Sequence, residues 1–121
     1  MNTCKYRFAH HKLDAYRVAR QMADRARVVA DRVPRGYRKW AEQLLRASGS
    51  TVGLIGEGAN RFTAGQKRQK FTEARGEAGE VAAWVEQLHG SGFVGEAEAA
   101  HVLELADRVC AMLTGLIKRH A

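Results

Sequence analysis

One helical stretch in the middle of the chain holds four glycines, and it most constrains how the chain can fold. The glycines are Gly49, Gly53, Gly56 and Gly58. Each glycine inside a helix costs about 1 kcal/mol relative to alanine, so close packing has to offset that cost. Gly49, Gly53 and Gly56 follow at intervals of four and three residues and therefore share one helix face. We predict that this bare face packs closely against a neighbouring backbone.

Apolar residues recur at intervals of three and four along four segments, and no segment alternates as a strand would. This periodicity predicts four amphipathic helices. Their predicted bounds are 11–32, 37–59, 66–89 and 95–119. Pro34, residues 60–65 and the run His89–Gly92 interrupt the pattern and predict short turns. Because short turns join antiparallel neighbours, we predict one all-α domain over residues 1–121, an antiparallel up-down-up-down four-helix bundle.

Several residues have predicted places in this bundle. The core face of the second helix is predicted to comprise Leu44, Leu45, Ser48, Val52, Ile55 and Ala59. The seam of the third helix is predicted to comprise Phe71, Ala74, Ala78, Val81, Val85 and Leu88. Asn60 tolerates the left-handed conformation and is expected to cap the second helix. Phe93 and Val94 are expected to fold back as an apolar plug.

Positive charge is concentrated in the first part of the chain. The 121 residues carry 20 Lys and Arg against 13 Asp and Glu, a formal net charge of +7 and a pI near 9.9. Residues 1–75 hold 17 basic and 6 acidic side chains, a net +11, and residues 76–121 hold 3 basic and 7 acidic ones, a net −4. The basic part suits nucleic acid or another anionic surface. Solubility, or charge complementarity between subunits, would produce the same asymmetry.

Basic residues gather around two turns and along the first helix. Arg32, Arg35, Arg38 and Lys39 surround the turn after the first helix, and Arg61, Lys67, Arg68 and Lys70 surround the turn after the second. Arg17, Arg20, Arg25 and Arg27 lie along the first helix. In an up-down bundle the two turns lie at opposite ends, but the face between them can carry the arginines of the first helix. Phosphate contacts from such residues predict salt-dependent binding with little sequence preference.

Two aromatic residues accompany the first of these turns. Tyr37 and Trp40 are next to Arg38 and Lys39. Such rings can stack on exposed bases. Aromatic residues at a helix start also serve to anchor the helix or to form a subunit contact, and the sequence leaves these alternatives open.

The sequence favours no catalytic or metal-binding chemistry. Cys4 and Cys110 form no paired metal-binding motif and suit a reduced, cytoplasmic protein. Glu98 and His101 form one Glu-x-x-His pair, whereas di-iron bundles need two such pairs. We find no nucleophile with an adjacent base, no phosphate-binding loop and no apolar run of membrane length, and the first residues lack the apolar run expected of a signal peptide. We therefore expect a protein without enzymatic activity, cofactor or membrane association.

Four stretches of the chain resemble one known family. They are His11-Lys-Leu-Asp-Ala-Tyr-Arg-Val-Ala19, Ile55-Gly-Glu-Gly58 with Arg61, Ala74-Arg-Gly-Glu-Ala-Gly-Glu80, and Leu113-Thr-Gly-Leu-Ile-Lys118. In order and spacing they are similar to the four-helix bundle proteins encoded within intervening sequences of bacterial 23S ribosomal RNA genes. One branch of that family comprises accessory variability proteins of diversity-generating retroelements. The resemblance implies a ring-like homopentamer and, from that branch, binding to nucleic acid and to a reverse transcriptase.

The sequence departs from this family at three positions. Gly56 replaces a usual alanine, Gly53 stands where a proline is common, and Glu77 replaces a small residue. These departures bear on subunit packing more than on the fold of one chain.

Three charged residues inside the matching stretches are predicted to form a polar network. These are Glu57, Arg75 and Glu80. Glu57 is expected to pair with Arg75, partly buried across two antiparallel helices, and so to fix their register, or to pair with Arg61. A polar channel wall or a ligand site at the axis of a ring is the alternative.

The sequence thus predicts a non-catalytic oligomeric protein that binds RNA or DNA as an accessory factor. A structural homo-oligomer without a nucleic-acid role is the alternative.

Overall fold

The computed structural model describes residues 5–121, which fold into four long helices. These are α1 (Asp14–Asp31), α2 (Arg38–Asn60), α3 (Ala64–Gly90) and α4 (Glu96–Arg119). Two short 3₁₀ turns, Ala9–Lys12 and Arg35–Tyr37, precede α1 and α2, and no strand occurs within the described range. The predicted helices are confirmed, although α1 begins three residues later than expected because the 3₁₀ turn occupies its predicted start. Cys4 lies outside the described residues.

The helices form an antiparallel bundle in which each packs against its neighbours in sequence and α4 closes on α1. Contacts between side chains fix the directions. Arg46 near the start of α2 meets Glu80 late in α3, and Glu57 late in α2 meets Lys70 early in α3. Arg32 at the end of α1 likewise meets Glu98 at the start of α4. The four-helix architecture predicted from the sequence is therefore confirmed for this chain.

The core is mostly apolar, includes the buried side chains of Ser48 and Thr51, and follows the predicted periodicity closely along α3. Every predicted residue of the α3 seam is at most 1% exposed. Val94 is buried and Phe93 packs against the core, so the predicted plug is confirmed. Gly92 reaches a φ of +82° in the preceding turn, which glycine adopts without strain. Among residues 5–121, no helix is long and apolar enough to cross a membrane.

The prediction for the bare face of α2 is wrong within this chain. A Cβ added at Gly49, Gly53 or Gly56 would meet no described atom within 4 Å, so these glycines line the outer side of the helix. The fourth glycine makes the close approach instead, since a Cβ at Gly58 would lie 2.7 Å from the ring of Phe71. The buried face runs through larger residues such as Leu44 and Ile55, which point away from the bare face.

Two further expectations for α2 are also wrong. Leu45 is 41% exposed, because it lies toward the glycine face and not toward the core. No non-glycine residue within 5–121 has a positive φ, so Asn60 does not form a left-handed cap. Asn60 instead ends the helix by donating from its amide to the Gly56 carbonyl at 2.8 Å.

Candidate nucleic-acid interface

Apart from Arg32, which pairs with Glu98 at 2.7 Å, and from the arginines along α1, the basic residues predicted to contact nucleic acid fall into two clusters at opposite ends of the bundle. We call Arg35, Arg38 and Lys39 the α1–α2 basic cluster. We call Arg61, Lys67, Arg68 and Lys70 the α2–α3 basic cluster. The antiparallel arrangement separates the two clusters by the length of α2, as the sequence predicted.

Two members of the α2–α3 basic cluster are bound to helix ends. The Lys67 ammonium donates to the Ala59 carbonyl at 2.8 Å, in the last turn of α2. The Arg68 guanidinium donates to the His120 carbonyl at 2.7 Å, just past the end of α4. The last carbonyls of a helix lack partners within the helix and carry partial negative charge. Lys67 and Arg68 thus satisfy the carboxyl ends of two different helices.

The other two members of this cluster contact carboxylates. Arg61 lies 3.9 Å from Glu57, and Lys70 lies 3.4 Å from both Glu57 and Glu73. All four cations of the α2–α3 basic cluster therefore have intramolecular partners.

The α1–α2 basic cluster has a different environment. Arg35, Arg38 and Lys39 are exposed, and none lies within 4.0 Å of a carboxylate in the part of the chain that the structure describes. Arg38 and Lys39 occupy the first turn of α2, where the helix dipole is positive and disfavours cations. That turn contains no acidic residue, and the side chain of Tyr37 does not cap it.

The arginines predicted along α1 do not form a continuous basic face. Arg17 pairs with Asp14 at 3.1 Å and Arg27 pairs with Asp31 at 3.4 Å. The Arg20 guanidinium lies 6.0 Å from the centre of the Tyr16 ring. Arg25 has no carboxylate within 4.0 Å among residues 5–121, but it is only partly exposed. Two of the four arginines on α1 are therefore paired with carboxylates of the same helix.

An aromatic cluster adjoins the α1–α2 basic cluster. Tyr37 lies 5.0 Å from Trp40 and 4.7 Å from Phe93, measured between ring centres. Trp40 lies 6.0 Å from Trp84 of α3. An open concavity of about 450 Å³ spans Arg35 to Trp40, and a second of about 420 Å³ lies between Trp40, Ala83, Trp84 and Gln87. Trp40 borders both concavities.

A charged network beside Trp84 supports this aromatic cluster. Arg46 pairs with Glu77 at 3.1 Å and also with Glu80. The hydrogen bond to Glu80, with a smaller contribution from Glu77, raises the pKa of the Arg46 guanidinium. The Trp84 indole donates to the same Glu80 carboxylate at 3.3 Å. Sequence reasoning included Glu80 in a polar network but missed Arg46, which the antiparallel register of α2 and α3 places opposite it.

The predicted pairing of Glu57 is correct for one partner and wrong for the other. Glu57 pairs with Arg61 and Lys70, but it is 52% exposed and not partly buried between helices. Arg75 faces α4, where its guanidinium donates to the Thr114 hydroxyl at 2.8 Å. Glu57 and Arg75 therefore lie on different sides of α3. The spacing of the motifs does not specify how each helix is rotated about its axis, so it could not place Glu57 and Arg75 on different sides.

The remaining titratable residues of interest are the possible metal ligands and Cys110. Within the described part of the chain, no group of three His, Cys, Asp or Glu side chains is placed to hold a metal ion. Burial raises the pKa of the Cys110 thiol, which lies 3.8 Å from the Arg75 carbonyl. The burial of this thiol and its contact with the Arg75 carbonyl agree with Cys110 as a small packing residue.

A comparison with protein families supports the resemblance noted in the sequence. The family model described as 23S rRNA-intervening sequence protein matches residues 11–115, which is most of the chain. No curated relative matches at a significant level.

Proposed function

The chain belongs to the 23S rRNA-intervening sequence protein family, and on that premise we propose that it is a non-catalytic nucleic-acid-binding protein. Its contact with phosphates is made by the α1–α2 basic cluster. One observation carries this proposal: three exposed cations gather at a helix N-terminus without a carboxylate partner among residues 5–121.

The electrostatics of that helix end favour an anion. The first amide groups of α2 and its dipole present positive potential, to which Arg38 and Lys39 add their charges. A phosphate group placed there relieves the repulsion and accepts hydrogen bonds. Arginine and lysine side chains carry several hydrogen-bond donors, so they suit a phosphate held by charge-assisted hydrogen bonds. This supports a binding role.

The proposal is tested by removing three charges from this cluster. The variant Arg35→Gln/Arg38→Gln/Lys39→Gln is compared with Arg17→Gln/Arg20→Gln/Arg27→Gln, which loses the same charge from α1. The probe is a fluorescein-labelled RNA hairpin with a single-stranded tail, titrated at several salt concentrations. We expect the first variant to bind at least about 30-fold more weakly at low salt, with a salt slope shallower by about 2. The α1 variant should remain within about threefold of the parent.

Two results would overturn the proposal. One is a parent chain whose RNA binding does not respond to salt. The other is an equal loss of affinity in both variants, which would mean that only the total charge matters.

Self-association is a second candidate role, and the outward glycine face of α2 favours it. Gly49, Gly53 and Gly56 offer a bare surface beside exposed Leu45, and the positive and negative parts of the sequence complement each other. The resemblance implies a homopentamer. Light scattering tests this with Gly53→Arg, which the fold of one chain accommodates because the position is open. Assembly that is unchanged in this variant would exclude the glycine face as the contact.

The family resemblance extends the proposal to a reverse transcriptase as partner, and the cysteine content extends it to a cytoplasmic location. Co-purification of the enzyme with the parent chain tests the first point. The alternative of a purely structural oligomer would be supported by assembly without any retention of RNA.

A further inference from the structure

We propose that the aromatic cluster beside the α1–α2 basic cluster receives unpaired bases, so that the ligand is a single-stranded segment. This inference rests on the proposed function and specifies the kind of nucleic acid. Its residues are Tyr37, Trp40 and Trp84, with Glu80 and Arg46 in support.

The rings are arranged so that part of their faces stays uncovered. Tyr37 and Trp40 meet at 60° and Trp40 and Trp84 at 44°, so neither pair is stacked face to face. Tyr37 is 44% exposed, and both indoles are partly exposed. Trp40 stands between the two concavities, one on its Tyr37 side and one on its Trp84 side. Two successive bases can therefore contact aromatic surface on either side of one indole.

The Trp84 ring is held in place before any ligand arrives. Its indole nitrogen donates to Glu80, whose carboxylate is bound by Arg46. These contacts restrict rotation of the ring and reduce the entropy lost on binding. Arg46 lies between Glu77 and Glu80, so its charge offsets part of the repulsion that these two carboxylates exert on a phosphate backbone passing the cluster.

The neighbouring cations identify the class of ligand. A surface of rings alone would suit any apolar partner, but Arg35, Arg38 and Lys39 adjoin Tyr37 and Trp40 and complement a polyanion. A strand with unpaired bases combines a charged backbone with exposed π-faces, and stacking on aromatic side chains accepts every base. In a duplex these faces are covered by neighbouring base pairs, so a duplex can use only the cations.

The chain supplies its own reporter for this contact. It contains two tryptophans, and both belong to the aromatic cluster. Tryptophan emission is followed while the chain is titrated with a ten-nucleotide mixed-sequence RNA, and separately with the blunt duplex of the same sequence. We expect the single strand to quench the emission and the duplex to leave it nearly unchanged.

A pair of variants at Tyr37 separates stacking from charge. Tyr37→Ala should weaken single-strand binding about 5- to 100-fold and leave duplex binding unchanged. Tyr37→Phe keeps the ring and should bind the single strand as the parent does. Circular dichroism of both variants checks that α2 is intact, and Trp40→Phe assigns the quenching to one indole.

The outcomes distinguish this inference from the proposed function. In one outcome, strand and duplex bind equally, neither quenches the tryptophan emission, and both lose binding when the α1–α2 basic cluster is replaced. That outcome would overturn the inference and leave the proposed function standing. Binding of neither probe would overturn both. An acidic aromatic peptide that quenches the indoles more strongly than RNA would assign the cluster to a protein partner and also overturn the inference.

Discussion

The two basic clusters carry similar charge at helix ends of opposite polarity. Lys67 and Arg68 place their charges on carbonyls at the carboxyl ends of α2 and α4. Arg38 and Lys39 place theirs at the amino end of α2, where the dipole opposes them. We therefore infer that the α2–α3 basic cluster stabilises the fold, whereas the helix dipole makes the α1–α2 basic cluster slightly unfavourable for folding.

This difference shows why a count of basic residues does not locate a binding surface. The sequence assigned both clusters to nucleic acid with equal weight. The structure separates them by whether each cation already has a partner. Residues that oppose stability are a recurrent feature of functional sites, because selection for function offsets their cost.

The largest expected effect on stability follows charge reversal in the α2–α3 basic cluster. In Lys67→Glu/Arg68→Glu, the carbonyls of Ala59 and His120 lose cationic donors and face carboxylates. We expect the free energy of unfolding to fall by about 2–3 kcal/mol, with solvent screening reducing the share of exposed Arg68. Urea titration followed by circular dichroism measures this change. An unchanged midpoint would show that these contacts do not cap the helices.

The next largest change in stability is expected from a substitution at the close contact of Gly58, which lies at the same end of the bundle. An alanine Cβ there would lie 2.7 Å from Phe71 and 3.1 Å from the Lys70 side chain, and Phe71 is fully buried. Overpacking costs about 1–3 kcal/mol, and the gain in helix propensity returns up to about 1 kcal/mol. We expect Gly58→Ala to destabilise the chain by about 1–2 kcal/mol in the same titration.

Gly53→Ala is the matched control for this substitution. The position is open to the described residues, so only the propensity gain applies, about 1 kcal/mol of stabilisation. Equal destabilisation at the two positions would mean that the bare face is packed after all, against another copy of the chain.

Charge reversal in the α1–α2 basic cluster should change the free energy of unfolding by a smaller amount than reversal in the α2–α3 basic cluster, and should raise it. Arg38→Glu and Lys39→Glu place carboxylates where the dipole of α2 favours them. We expect each substitution to raise the free energy of unfolding by about 0.3–1 kcal/mol at low ionic strength. The double variant should nevertheless lose RNA binding in the fluorescence titration. Destabilisation by this variant would contradict the contrast between the two ends.

The fold was predictable from sequence wherever the apolar pattern defines which face of a helix is buried. The α3 seam repeats strictly, from Phe71 to Leu88, and every member is buried. The face of α2 was harder to assign because glycine has no side chain to indicate whether it faces a core or open space. Leu45 was consequently assigned to the core although it lies beside the glycines.

The sequence predicted which residues make up the candidate site, but not which side chains pair with one another. Tyr37, Trp40 and their basic neighbours were evident from the sequence, since they are adjacent along the chain. The contacts of Arg46 with Glu80 and of Arg75 with Thr114 depend on the axial register and rotation of two helices. A periodicity of three and four residues defines a helix face but does not specify which neighbour each flank will meet.

The smallest expected effect is a pH-dependent loosening confined to the end of the bundle that carries the α2–α3 basic cluster. There the His10 ring lies 2.9 Å from the Asn60 amide nitrogen and contacts Tyr16 and His11. Burial, and then the neighbouring His11, lower the pKa of His10 from its ordinary value of 6.5. Neutral His10 can accept the Asn60 hydrogen bond, whereas protonated His10 cannot.

The direction of this pH effect follows from the lowered pKa. The contribution of His10 is fully present above the unfolded value of 6.5 and is lost as the pH falls through the lower folded value. Hydrogen exchange at Ala9–Lys12 should therefore accelerate between pH 7 and pH 5, after correction for intrinsic rates, while amides around Arg38 stay unchanged. His10→Gln can still accept from Asn60 but does not titrate, so it should remove the response. If hydrogen exchange accelerated equally at both ends, acid would loosen the whole bundle, and the two ends would not differ in their response to pH.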